Sequence, residues 1–172
     1  MSDISNKLKG GDLRSVGKVN SVIEKITNQQ TFDELFKDLF DNDRLIVMRT
    51  ADAVEKITIT HPEYLKLHKK QLLDLLDEAV NKELKWHLAQ LISRLNLNNK
   101  ETSIVWAKLT QWAKDKSESR IVRVLSLQSL FDIQKKFPEL KKDYTNTIEI
   151  MDRENIPSIK ARIRILKKQK TL

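Results

Sequence analysis

Apolar residues return every three or four positions along most of this chain, the spacing that lines one side of a helix. Val16, Val19, Val22, Ile23 and Ile26 predict a helix from Asp12, its cap, to about Gln29. Thr31 and Glu34 have the spacing of a capping box and open a short helix with Phe32, Leu35, Phe36, Leu39 and Phe40 on its apolar side. Asp41-Asn42-Asp43 breaks it. A long helix follows from about Asp43 to Thr60, burying Leu45, Met48, Ala51, Ala53, Val54 and Ile57, with β-branched residues weakening its last turn. His61-Pro62 restarts the chain in a short helix through His68.

The second half continues the pattern. Helices are predicted over 71–79, 82–95 and 100–114, with Asn96 to Asn99 as a break. Ser117 and Arg120 open a helix to Lys136, Phe137-Pro138 ends it, and Glu139 to about Arg153 follows. Asn155-Ile156-Pro157-Ser158 starts the last helix. Its apolar residues Ile159, Ala161, Ile163 and Ile165 alternate with basic ones, a strand-like pattern, but no partner strand is found elsewhere, so it is assigned as helix. Residues 1–11, ending in Gly10-Gly11, read as a flexible leader to a single domain over 12–172.

Three long helices share a frame. Ala51-Asp52-Ala53-Val54 falls on Ala89-Gln90-Leu91-Ile92 and then on Leu127-Gln128-Ser129-Leu130, each offset being 38 residues (51 to 89, 89 to 127). A two-helix unit recurring near this length marks a helical solenoid, nearer to HEAT and armadillo units than to the shorter tetratricopeptide unit. The expected fold is therefore all-α, about four helix pairs with a C-terminal capping helix.

Composition narrows the class. With 172 residues, 40% hydrophobic and 33% charged, the chain suits one soluble domain with a core of its own. Three Gly and three Pro leave little material for the turns of a strand-rich fold. Without cysteine, disulfides, thiol nucleophiles and thiolate metal sites are excluded. No secretory signal or membrane-length apolar run is visible, so a cytoplasmic location is expected. The net charge of +8 is unevenly placed. After Glu154 no acid occurs, while Lys160, Arg162, Arg164, Lys167, Lys168 and Lys170 supply six cations; removing these from 32 leaves 26 against 24 acids.

Catalytic signatures are missing from the sequence. His61, His68 and His87 lack metal-ligand spacing, Gly10-Gly11 lacks the rest of a phosphate loop, and no Ser stands in a nucleophile motif. No cofactor and no metal are expected. Trp86-His87 is conspicuous, but neighbouring helix positions diverge by about 100°, which favours a packing Trp and a His satisfying a backbone group. Asp52 and Glu55 offer paired carboxylates for acid–base work, against a solvated face in which Arg49 or Lys56 pairs with Asp52.

Arg49, Lys85 or His87, Arg123 and Arg162 fall at similar places on successive first helices, so stacking would make them a polar ridge. Asp52, Gln90 and Gln128 would flank it one turn on. Two readings stand: a surface for an acidic partner, suited to the planar fork of Arg, or a structural hydrogen-bond stack between repeats. The basic end, Lys160, Arg164, Lys167, Lys168 and Lys170, reads as a polar cap, a phosphate contact for nucleic acid, or a contact for an acidic protein.

The runs over 10–18, Val47 to Lys56, Lys85 to Gln90, Arg94 to Leu97, Leu127 to Leu130 and Lys160 to Arg164 resemble a group of small bacterial HEAT-like repeat proteins. The resemblance spans nearly the whole chain and implies a right-handed α-α superhelix with no assigned activity. The expected function is a non-catalytic adaptor presenting the Arg-lined face to a protein or peptide. The alternative is nucleic-acid binding through that face and the basic last helix. A third reading, by fold-level analogy with HEAT-like DNA glycosylases, uses Asp52, Trp86, Arg49 and Arg123. Oligomeric state is left open.

Overall fold

In the computed structural model the described residues are Leu8 and 17–169. They are all-α, without a strand, and the chain divides into two compact units, Met1–Lys70 and Gln71–Leu172. The predicted leader and the proposed cap Asp12 lie outside the described residues.

The first unit holds α1 (Gly17–Ile23), α2 (Gln29–Phe36) with a 3-10 turn over Lys37–Phe40, α3 (Arg44–Thr60), and a 3-10 segment over Pro62–His68. The first predicted helix ends at Ile23, six residues early, because the following residues turn to prepare the cap of α2. That cap corrects the sequence expectation. Asn28, rather than Thr31, is the N-cap: its Oδ1 accepts from the Thr31 N–H at 3.0 Å, and Thr31 Oγ1 accepts from the Asn28 N–H at 3.4 Å. Thr31 is thus the third residue of the helix, the position from which a side chain reaches back to the cap's own N–H. Phe40, expected on the apolar side, is half exposed because the chain tightens into a 3-10 turn there.

Asp43 caps α3 by accepting from the Leu45 N–H at 2.8 Å. The β-branched end stays helical to Thr60, where Thr58 Oγ1 donates to the Val54 carbonyl at 2.8 Å. Val19, Val22, Phe32, Leu35, Phe36, Ile46, Val54 and Leu65 form the core of this unit. His68 closes it. Its ring stacks on Phe36 at 3.9 Å between centroids, and its Nε2 meets Asp33 Oδ1 at 2.6 Å. Burial alone would raise the Asp33 carboxyl, but hydrogen bonds from Gln29 and His68 outweigh it and hold the group below its usual range.

The second unit contains α4 (Lys69–Glu78, beginning just before it), α5 (Lys82–Arg94), α6 (Asn99–Lys114), α7 (Arg120–Lys136), a 3-10 turn over Pro138–Leu140, α8 (Lys141–Arg153) and α9 (Pro157–Gln169). Helix α7 is central. It packs beside α5 and α9 in a first layer, and α6 and α8 cover it as a second. Asn98 caps α6 in a box with Glu101, and Ser119, not Ser117, caps α7. Asn155 adopts φ 56°, a left-handed turn that Asn tolerates, and Pro157 then starts α9 with the φ a first helical residue needs.

The long helices α3, α5, α7 and α9 start at 44, 82, 120 and 157, steps of 38, 38 and 37 residues. In all four the third, seventh and tenth residues are buried: Ile46, Thr50, Ala53; Leu84, Leu88, Leu91; Val122, Ser126, Ser129; Ile159, Ile163, Leu166. Burial therefore confirms the repeat frame residue by residue.

The corrected cap generates a test. Asn28→Ala is expected to cost about 1 kcal/mol in urea denaturation, whereas Glu34→Ala should stay within about 0.5 kcal/mol; the reverse order would restore the Thr31–Glu34 box.

Candidate functional site

Counting from the start of each long helix separates the predicted ridge into different rows. Lys85, Arg123 and Lys160 are fourth residues; Arg49, His87 and Arg162 are sixth; Asp52, Gln90 and Gln128 are ninth. Residues two apart on a helix point about 200° apart, so the first two rows cannot share a face.

The fourth row turns inward, toward the second layer. Arg123 is only 2% exposed. Its Nε donates to the Ala113 carbonyl at 2.9 Å, in the last turn of α6, and its Nη2 donates to both carboxylate oxygens of Glu154 at 2.8 Å, at the C-cap of α8. Lys85 makes the same reach one repeat earlier: its ammonium pairs with Glu118, beyond the end of α6, and lies 5.6 Å from the Trp112 ring centre. In the first unit, Arg49 is 0% exposed and its Nη1 donates to the Leu8 carbonyl at 2.6 Å. His87 is buried at 7% exposure. An open ridge of Arg49, His87 and Arg123 is therefore corrected: all three side chains are buried. Asp52, half-buried, pairs with Lys56 at 2.8 Å, the i, i+4 partner.

What the second unit turns outward is the ninth row with its neighbours. Ser129 Oγ donates to the Ala89 carbonyl at 2.6 Å, and Lys136 Nζ to the Ser93 carbonyl at 2.7 Å, so α5 and α7 run parallel in fixed register. Stepping forward one residue from Ala89 and back one from Ser129 rotates both positions about 100° to the same side. Gln90 and Gln128 thus share one face, and Trp86, one turn before Gln90, joins them. All three are half-buried. The Trp86 and His87 rings touch in a tilted arrangement, 5.6 Å between centroids.

From α9, Arg162 completes the face: its Nη1 donates to Gln128 Oε1 at 2.9 Å, while Gln128 Nε2 donates to both oxygens of Asp132 at 3.2 Å. Asp132 was not anticipated from sequence, although its i, i+4 spacing from Gln128 carries the signal. Burial pushes the Asp132 carboxyl above its usual range, with Gln128, Lys135, Lys136 and Arg162 opposing the rise. Burial, and then the Asp132 charge, raise the Tyr144 hydroxyl as well. Gln128 is held between Arg162 and Asp132, and Gln90 Nε2 turns to the Trp86 carbonyl at 3.5 Å, so what the face offers is a remaining acceptor site on each Gln amide oxygen beside the half-buried Trp86.

On α9, Lys160 is half-buried and Arg164, Lys167 and Lys168 are exposed; Lys170 lies outside the described residues. Among the described residues no cluster of His, Asp or Glu has the form of a metal site, and no helix is long and apolar enough to cross a membrane.

Two outcomes are expected. Arg123→Met should cost about 3–5 kcal/mol in urea denaturation, because it leaves Glu154 without its partner, and adding Glu154→Leu should recover part of the loss. Asp132 has a raised folded-state pKa, so its ionisation weakens the fold as pH climbs above about 4, its unfolded value. Asp132→Asn should therefore gain on the wild type from pH 4 toward neutrality and show no advantage below it; a difference that does not change with pH would contradict this.

The family model of the HEAT repeat domain matches residues 5–169. No curated protein and no solved structure matches. A match of that extent, over layered helix pairs that repeat at 37 to 38 residues, assigns the chain: it belongs to the HEAT repeat domain family.

Proposed function

We propose that this chain is a non-catalytic interaction module that binds a protein or peptide through the outer face of α5, α7 and α9. HEAT repeats commonly serve as protein-interaction scaffolds. The observation that carries the reading here is the half-buried row of Trp86, Gln90 and Gln128, joined by Arg162, on one side of parallel helices. Neighbouring helices stand about 8–10 Å apart. An extended chain covers that span in about three residues at 3.3 Å each, so its backbone amides can meet successive Gln side chains. Trp86 supplies the large, semi-rigid contact typical of binding hot spots.

The nucleic-acid alternative rests on the cations of α9, on which no acid occurs. On the shared face it is disfavoured, since Arg162 is engaged by Gln128 and Asp132 adds negative charge. The glycosylase analogy finds Asp52 held by Lys56 and Arg123 held by Glu154.

The test is affinity capture from nuclease-treated lysate, followed by titration of the purified partner against wild type and Trp86→Ala/Gln128→Ala. A tenfold or greater loss is expected in the variant, whose circular dichroism at the assay temperature should show that it remains folded. Equal binding by both proteins would remove the face from the function. Partners lost on nuclease treatment, with affinity falling steeply in salt, would put nucleic acid first.

A further inference from the structure

Lys85 and Arg123 occupy the same position on consecutive first-layer helices, and each meets a carboxylate just past the end of a second-layer helix. Glu118 lies 33 residues beyond Lys85, and Glu154 lies 31 beyond Arg123. The carbonyls that end a helix carry partial negative charge, so helix end and carboxylate attract the same cation. In α9 this position is Lys160, half-buried, whose ammonium pairs with no acid among the described residues.

The surface around it has changed character. The fifth, eighth and twelfth residues of α7 are Val124, Leu127 and Phe131; in α9 they are Ala161, Arg164 and Lys168. A shallow groove is lined by Ala161, Arg164, Ile165, Lys167 and Lys168, and α9 carries no acid. Two copies meeting through this strip would set cations against cations. An acidic surface is the complement.

We propose that the strip docks an acidic helix of a partner protein, whose terminal carboxylate takes at Lys160 the place that Glu118 takes at Lys85 and Glu154 at Arg123. The site lies apart from the Trp86–Gln128 face and stands independently of the function proposed for it.

A peptide copying residues 138–154 serves as probe. It contains α8 and Glu154, and its five acids (Glu139, Asp143, Glu149, Asp152, Glu154) exceed its three bases (Lys141, Lys142, Arg153). Titrated into the full chain and followed by amide NMR, it is expected to shift Ala161, Arg164 and Lys168. Lys160→Glu should weaken binding about tenfold or more, and a Glu154→Lys peptide should restore binding to that variant. Binding should persist in Trp86→Ala/Gln128→Ala. No shift in α9 at millimolar peptide would overturn the proposal, as would a Lys160→Glu loss that the charge swap does not repair. A random duplex DNA shifting the same amides at lower concentration than the peptide would assign the strip to phosphate instead.

Discussion

The larger unit depends on one guanidinium. Arg123 enters from the first turn of α7 and is bonded at once to the end of α6 and the cap of α8, so three helices from two repeats converge on one side chain. A charge taken that far out of water is tolerable only when its donors are matched, and here a backbone carbonyl and both oxygens of a carboxylate match them. The cost of taking both charges out of water offsets much of their attraction, so such a pair is not by itself a large net gain in stability. Its effect is to define spacing: α6 and α8 must end at the right height for the fork to reach both. Lys85 performs the same joining one repeat earlier with a flexible stem and a ring beneath it, a looser version of the same constraint.

With the second layer set in this way, the first layer is free to show a different row. The short Ser129–Ala89 contact brings α5 and α7 close enough for a hydroxyl to reach a carbonyl, which only small residues at that crossing allow. The neighbouring positions then emerge together as Gln90 and Gln128. Structural cations and outward amides are thus five residues apart on each helix, and about 140° apart around it. The smaller unit is closed by seating His68 on Phe36 and tying it to Asp33, an aromatic and polar clamp.

Helix positions and the 38-residue frame are legible in the sequence because both rest on local periodicity and on turn residues, whereas the last segment alternates like a strand and reads as helix only because no other strand is there to pair with it. The caps were partly legible. Asp43 marks the start of its helix in the sequence without being read as a cap, and Thr31 is chosen over Asn28, since Thr-x-x-Glu and Asn-x-x-Thr satisfy the same two N–H groups and spacing alone does not choose between them. A ridge that joins Arg49 and His87 with Arg123 spans positions two residues apart, and at about 100° per residue that interval crosses the helix.

Sequence by itself determined that this is an all-α HEAT-type chain, which residues lie at equivalent positions in each repeat, and that the cations gather in the last helix. Only tertiary structure decided which equivalent residues face solvent. Arg49 and Arg123 look, in sequence, like surface residues. They are buried because a carbonyl at Leu8 and a carboxylate at Glu154, 41 and 31 residues away, come within hydrogen-bond reach. Long-range partners of that kind leave no periodic trace, since what makes a charge buriable is the group it meets, not the spacing of its neighbours.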